Sequence, residues 1–277
     1  MQFFVKHTIN QSYSLSGQSV NMFSRLQYAL TKTGVLSGTG LEAIIFDRMP
    51  HRDKHSPPYP DYEILLMSVA RDNIFYDHGQ ILNLKQSVID LIKTRTSTTE
   101  YSSVIIQTHP KSKGTVRLAS TDPLDYPLIQ PNYLQHPDDI KSMIAGIRKS
   151  QELASTHPLK ELGATLNRQD FDGICNEIQF DTDEYWECML RFYAVTCYHP
   201  TSTCRMGTDN DATAVVDTNL RVKGIKGLRV ADASVMRHVI SGNTNAPIIM
   251  IGEKAADLIQ GRDTVQRFKD QIKHLNL

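Results

Sequence analysis

Cys197-Tyr198-His199-Pro200-Thr201-Ser202-Thr203-Cys204-Arg205-Met206-Gly207 sets the fold expected of this chain, together with a later stretch, Ser241-Gly242-Asn243-Thr244-Asn245-Ala246-Pro247. Between them lie two β-rich runs, Asn219-Leu220-Arg221-Val222 and Gly227-Leu228-Arg229-Val230-Ala231-Asp232, expected to bring both loops to one edge of a sheet. His199 stands just before a proline and a Thr-Ser-Thr run, in a loop expected to follow a helix. Histidine suits proton transfer near neutral pH because its ordinary pKa, about 6.5, lies there. Taken alone, His199 reads equally as a loop histidine bonded to a backbone carbonyl. Cys204 is a weaker nucleophile candidate, since free cysteines are usually packing residues.

In the second stretch Asn243 and Asn245 bracket Thr244, and Ala246-Pro247 lead into an apolar helix. Proline fits a first helical turn, where its missing N–H has no partner to lose. The amides around Asn245 and Ala246 then face outward from a positive helix end. Such an end favours an electron-rich group by about 0.3–1 kcal/mol at an exposed site. An ordinary capped helix would have the same sequence. Upstream, Val230-Ala231-Asp232-Ala233-Ser234 places an aspartate at the carboxyl end of a β-run, the position at which open α/β sheets bind ligands. The plain alternative is a turn aspartate that caps the residues after it.

Composition narrows the class. The 277 residues are enough for one large domain or two smaller ones. Thirty basic residues balance thirty acidic ones, so no global field attracts nucleic acid or an anionic membrane. Apolar runs fall far short of the ~20 residues that span a bilayer, and no transmembrane segment is expected. The N-terminus has no basic region or long apolar core, and reads as a strand rather than a targeting peptide. Four cysteines are too few for a disulfide scaffold at this size. Cys197, His199 and Cys204 fit no zinc spacing and lack a fourth ligand, so no metal site is expected.

Along the chain, residues 1–10 read as a strand and 20–33 as a helix stopped by Gly34. The string Gly38-Thr39-Gly40-Leu41-Glu42-Ala43 mimics a dinucleotide fingerprint. A proline-rich loop follows where a long helix would be needed, so the match is a decoy. Tyr62–Ala70 reads as a buried strand and Ile81–Lys93 as a helix. Tyr101–His109 and Gly114–Ser120 read as strands around a Pro110 turn, and 122–131 is too proline-rich for regular structure. Pro137 opens a helix with an Ile140, Met143, Ile144, Ile147 stripe, and Asp181-Thr-Asp-Glu opens another. A last helix follows Pro247 and stops at Gly261. Unevenly alternating strands and helices favour an α+β class.

In order and spacing, these stretches resemble the glucose-methanol-choline (GMC) oxidoreductases. That family's pattern is a His-Pro-x-x-(Ser/Thr)-Cys-x-Met-Gly loop, a Gly-Leu-Arg-Val-x-Asp-Ala-Ser strand and turn, and Gly-Asn-x-Asn-Ala-Pro before a helix. Pro110-Lys-Ser-Lys-Gly-Thr-Val-Arg-Leu-Ala-Ser-Thr-Asp-Pro and Pro131-Asn-Tyr extend the resemblance, which is strong over 100–262 and weak over 1–99. The choline-dehydrogenase-like branch is the nearest in flavour, with Asn243 where glucose oxidases carry a second histidine.

The resemblance implies FAD-dependent oxidation of a small alcohol by hydride transfer to the flavin. It makes His199 the catalytic base and Asn243 the group that holds the substrate oxygen. It places Asn245 and Ala246 at the flavin pyrimidine edge, and Asp232 and Ala233 at the ribityl–pyrophosphate part of FAD. It implies a substrate-binding portion with a mainly antiparallel sheet over 1–212, a segment completing a Rossmann-like FAD-binding domain over 213–263, and a tail over 264–277. A full member opens with a strand, a Gly-rich phosphate loop and a ribose-binding acid. None is present here, so the expected partner is a missing N-terminal FAD-binding portion. Any address for a compartment would lie with it. The alternative is a catalytically inactive fragment or short isoform acting as a binding module. A Ser-His-Asp hydrolase ranks last, because no Gly-x-Ser-x-Gly elbow exists.

Overall fold

The computed structural model describes residues 1–10, 21–50, 57–70, 84–93, 99–168, 173–263 and, singly, 265, 266, 269 and 272. They form two compact bodies, Met1–Ser112 with Tyr133–Cys197, and Lys113–Asn132 with Tyr198–Leu277.

The first body is a five-stranded antiparallel sheet. Its strands are β1 (Gln2–Thr8), β2 (Leu41–Asp47), β3 (Tyr62–Met67), β4 (Glu100–Gln107) and β7 (Thr165–Leu166), in the order β2-β3-β4-β1-β7. Strand β4 is buried along its whole length because β3 and β1 flank it on both sides. Isoleucines, valine and tyrosine along it suit a pleated surface packed on both faces. Helix α3 (Pro137–Ala154) lies on one face: its stripe inserts Ile140, Met143 and Ile147 among Phe3, Val5, Tyr62, Ile64 and Ile105. Gly146 permits the close approach, since a Cβ there would stand 2.5 Å from Ile105 Cγ2. Helix α5 (Asp183–Tyr193) adds Tyr185, Trp186, Met189 and Leu190 to the same core. The opposite face gathers Phe4, Val104 and Ile106, with Leu65, Met67 and Cys197 against them.

Helix starts follow the expected chemistry. Helix α3 carries Pro137 in its first turn and the acids Asp138 and Asp139 beside it, where the dipole favours negative charge. Helix α5 is capped by Thr182, whose side chain accepts from the Tyr185 amide. Helix α1 (Met22–Thr31) has an Asn21 capping box and stops at Lys32 in the left-handed region, two residues before Gly34. The Gly38–Ala43 string leads into strand β2 rather than a helix, as a decoy should. Helix α2 (Gln86–Lys93) starts later than expected; residues 81–83 lie outside the described residues. The short α4 (His157–Glu161) follows α3.

Two expectations change. The Tyr101–His109 and Gly114–Ser120 strands do not pair with each other. Instead β5 (Thr115–Arg117) pairs with β6 (Leu128–Gln130), inside the stretch expected to be irregular. Pro127 and Pro131 flank those three residues without interrupting their ladder, which is why proline content misleads here. The two β-rich runs between the signature loops form no ladder. They meet at one bridge, Arg221 to Arg229, flanked by the Val222 amide donating to Leu228 O at 3.0 Å and the Val230 amide donating to Leu220 O at 3.1 Å. Glycines with positive φ at 224 and 227 turn the chain too soon for strands to extend. Two of the four cysteines, Cys175 and Cys188, form a disulfide with Cα atoms 6.1 Å apart, a single bond that is no scaffold.

The second body is smaller in core. Val216, Leu220 and Val235 pack against Ile251 and Ala255 of α6 (Asn245–Gln260), which ends at Gly261 in the left-handed region. No helix among the described residues is long and apolar enough to cross a membrane.

Candidate active site

All six expected site residues belong to the second body. Its core holds two of the pieces that carry them: Val235, at the end of a 3-10 turn (Ala233–Val235), packs beside Ile251 of α6. The chain after His199 is stitched to that turn. The Cys204 amide donates to Ser234 O at 3.0 Å and the Met206 amide to Val235 O at 2.8 Å. On its other side the Gly207 amide donates to Val216 O at 3.0 Å. Gly207 has no room for a side chain: a Cβ would stand 2.7 Å from both Ala214 Cβ and Asp211 Oδ2. Arg237 closes this end, donating to Met206 O at 3.0 Å and to Asp211 Oδ2 at 2.6 Å. Hydrogen bonds from Thr213 and Arg237 hold the Asp211 carboxyl well below the usual carboxylate range.

The histidine sits in a strained loop. Tyr198 and Ser202 both have left-handed backbones, with φ of 57° and 77°, a conformation that side chains adopt at an energetic cost and that clusters at functional sites. His199 Nδ1 lies 2.9 Å from Thr244 Oγ1, and Thr244 is buried. Partial burial lowers the His199 pKa, which favours the neutral ring, the form able to accept a proton. Thr244 is also the residue before α6. With its hydroxyl on the histidine, it makes no side-chain cap bond to the helix. The first amides of α6, at the exposed residues Asn245 and Ala246, therefore keep an open positive end. Asn243 is exposed beside Thr244, one residue from the atom that holds His199.

Asp232 and Ala233 lie on the 3-10 turn. Asp232 Oδ1 accepts from the Ser234 amide at 2.8 Å, so this carboxylate caps its own turn. Beside it Ser234 Oγ is buried with no hydrogen-bond partner. A depression of about 520 Å³ in the same body is lined by Arg221, Lys223, Lys226, Asp209 and Asp217 and includes none of the six residues. Chemistry, not concavity, marks the candidate site. Thr244 escaped the sequence reading, although a hydroxyl residue bracketed by asparagines directly before a helix was the available signal.

A model of the GMC oxidoreductase family matches residues 110–252. The chain is 36% identical over 245 residues to glucose dehydrogenase [FAD, quinone] of Drosophila melanogaster, covering 87% of this chain and 36% of that protein. It is 43% identical over 155 residues to choline oxidase of Arthrobacter globiformis, covering 55% of this chain and 27% of the oxidase. A variant of the Aspergillus oryzae formate oxidase, studied for its FAD modification, shares the fold with a TM-score of 0.70 at 24% identity, over 94% of this chain and 46% of its own. The chain thus spans about a third of the length of the curated relatives it matches. Family match, motif order and antiparallel α+β architecture agree, and the chain belongs to the GMC oxidoreductases.

Proposed function

We propose that this chain supplies the catalytic half of an FAD-dependent oxidoreductase that converts a small alcohol to an aldehyde or ketone. The observation that carries the reading is the His199–Thr244 pair at the mouth of an uncapped helix. With Nδ1–H donating to Thr244 Oγ1, Nε2 of the neutral ring presents a lone pair for the alcohol proton. Positioned proton transfer of this kind contributes roughly 10²–10⁴-fold. Asn243, exposed beside that pair, is placed to hydrogen-bond the alcohol oxygen, which makes choline-like alcohols a suitable class.

The residues present fit a flavin. The open amides at Asn245 and Ala246 offer preset dipoles to an electron-rich ring edge. The unpartnered Ser234 hydroxyl, with Asp232 and Ala233, offers polar contacts to the ribityl and phosphate portion. FAD, when bound, supplies the hydride acceptor, while the protein orients and polarises. On this reading 1–212 form the substrate-binding portion, 213–263 complete a Rossmann-like FAD-binding domain, and 264–277 are a tail. The partner is an N-terminal FAD-binding portion.

A second reading, an inactive module that docks onto another protein, is favoured by the hairpin region, where Leu118, Leu124 and Tyr126 are 86%, 88% and 91% exposed. Titrating FAD into the 277-residue chain, with flavin fluorescence and the visible spectrum as readouts, tests whether the chain holds a usable flavin site by itself. Saturable binding with a perturbed spectrum would mean that this chain carries a usable flavin site, and His199→Ala should then slow alcohol-dependent bleaching 10²-fold or more. Equal bleaching in His199→Ala overturns the base. Absence of binding by the folded chain would mean that these residues are half a site, completed by the N-terminal portion.

A further inference from the structure

Four cysteines permit three complete pairings, and the fold selects one bond. Cys175 and Cys188 belong to the helix-side core of the first body, with Cys175 fully buried. Cys197 packs on the opposite face of the same sheet, beside Phe4, Val104 and Ile106. Cys204 belongs to the second body. Both of these remain free thiols.

The bond closes a loop with a sequence separation of 13, from the turns before α5 to the middle of that helix. The same loop holds Asp181, whose Oδ1 accepts from Arg148 at 2.6 Å, Gln151 at 2.7 Å and Trp186 Nε1 at 2.8 Å. Polar and covalent ties therefore fix one loop to α3 and α5. A disulfide used for redox chemistry must expose a sulfur to an attacking thiolate. Cys175 offers no such access, and Cys188 is partly buried against the same core, tied into the Asp181 loop. The bond is built for structure.

We infer that Cys175–Cys188 is a structural disulfide and that this chain acquires its fold in an oxidising compartment. Cytosolic glutathione and thioredoxin keep ordinary thiols reduced, so structural disulfides belong to secreted, lumenal or periplasmic proteins. Formation proceeds by exchange. A thiolate of one cysteine attacks a small-molecule or protein disulfide and releases its first thiol, and the thiolate of the second cysteine then attacks the protein sulfur of the mixed disulfide and expels the second thiol. The two thiols lose two protons and two electrons, and the oxidant leaves as two thiols.

The test is peptide mapping of the 277-residue chain, folded in a glutathione redox buffer, denatured in N-ethylmaleimide and digested without reduction. The expected result is one linked pair of peptides containing Cys175 and Cys188, with alkylated Cys197 and Cys204. Four alkylated cysteines, or a scrambled set of links, overturn the inference. A second measurement addresses the compartment. The double variant Cys175→Ser/Cys188→Ala should melt roughly 5–10 °C below the oxidised chain, and excess dithiothreitol should bring the two together. If the chain from a reducing bacterial cytosol has four thiols and melts with the oxidised form, the bond is dispensable and the compartment assignment fails.

Discussion

Each body shields a histidine, one fully and one in part, and the two are shielded for different ends. His7 lies on the central part of the sheet with no exposed surface, its ring stacked on Tyr101 at 4.8 Å and Nε2 3.3 Å from Ser150 Oγ. Its Nδ1 has no partner. Burial alone pushes its pKa down to about 4. His199 is only partly buried, in a loop of strained residues, with Nδ1 held by a hydroxyl. The first histidine is a packing element that the core forces to stay neutral. The second is positioned. Around His7 the chain is organised by long strands and a large core; around His199 it is organised by single bridges, turns and caps. Regular structure carries the stability of one body, and local hydrogen bonding carries the geometry of the other.

The largest expected effect probes that division. Trp186 is fully buried, contacts Phe3 and Tyr185 edge-on, and donates Nε1–H to Asp181. Trp186→Ala should destabilise the first body by about 3–5 kcal/mol, because it opens a large cavity and leaves Asp181 short of a donor. Denaturant unfolding reads this directly. A loss below roughly 1.5 kcal/mol would mean that the core around α5 is far looser than its burial implies.

His7 gives the next effect, through pH. A group whose pKa falls from 6.5 to about 4 on folding binds its proton more readily in the unfolded chain. Stability is therefore intact above about pH 6.5, declines as pH falls towards 4, and levels off below, for a total of about 3 kcal/mol. The buried Glu63 works with the opposite sign. Burial raises its pKa, so acid favours the folded state as pH falls through that raised value. Subtracting the pH profile of His7→Phe, which keeps an aromatic ring against Tyr101, isolates the histidine. If both proteins show the same slope between pH 4 and 6.5, His7 is charged in the folded state and its environment is not the one described here.

The contrast between the bodies also explains what was legible in the sequence. The strands at 2–8 and 62–67 and the helix at 137–154 follow from apolar runs and helical spacing, because a large core imposes those periods on residues such as Val5, Ile64, Met143 and Ile147. The second body has no such period to read. Its candidate site was visible only as a string of residue types, and its strands were overestimated, because the two runs share one bridge with two backbone hydrogen bonds and not a longer ladder. The pairing of β5 with β6 was hidden by flanking prolines. The disulfide was hidden because cysteine count says nothing about distance, and Cys175 reaches Cys188 only after the turns at 173–182 fold back. Asp232 caps its own turn, as the plain alternative had it.

The smallest effect is the most diagnostic for the second body. Thr244→Val preserves shape and removes the hydroxyl that meets His199 Nδ1. A net loss of about 1 kcal/mol is expected for a single hydrogen bond, more if Nδ1 is left buried without a partner. Stability is the lesser readout. A free neutral imidazole favours the proton on Nε2, whereas an Nδ1–H bond to Thr244 reverses that choice and leaves Nε2 as the acceptor. Nitrogen NMR of the labelled ring should show the Nδ1–H form in the native chain, the Nε2–H form in Thr244→Val, and the native form again in Thr244→Ser. The first body should be untouched, with the Trp186 indole resonance unmoved in all three. An Nε2–H ring in the native chain would leave the base without its lone pair on the open side. The hydroxyl would then be an incidental neighbour, and the proton route assigned to His199 would have to be abandoned.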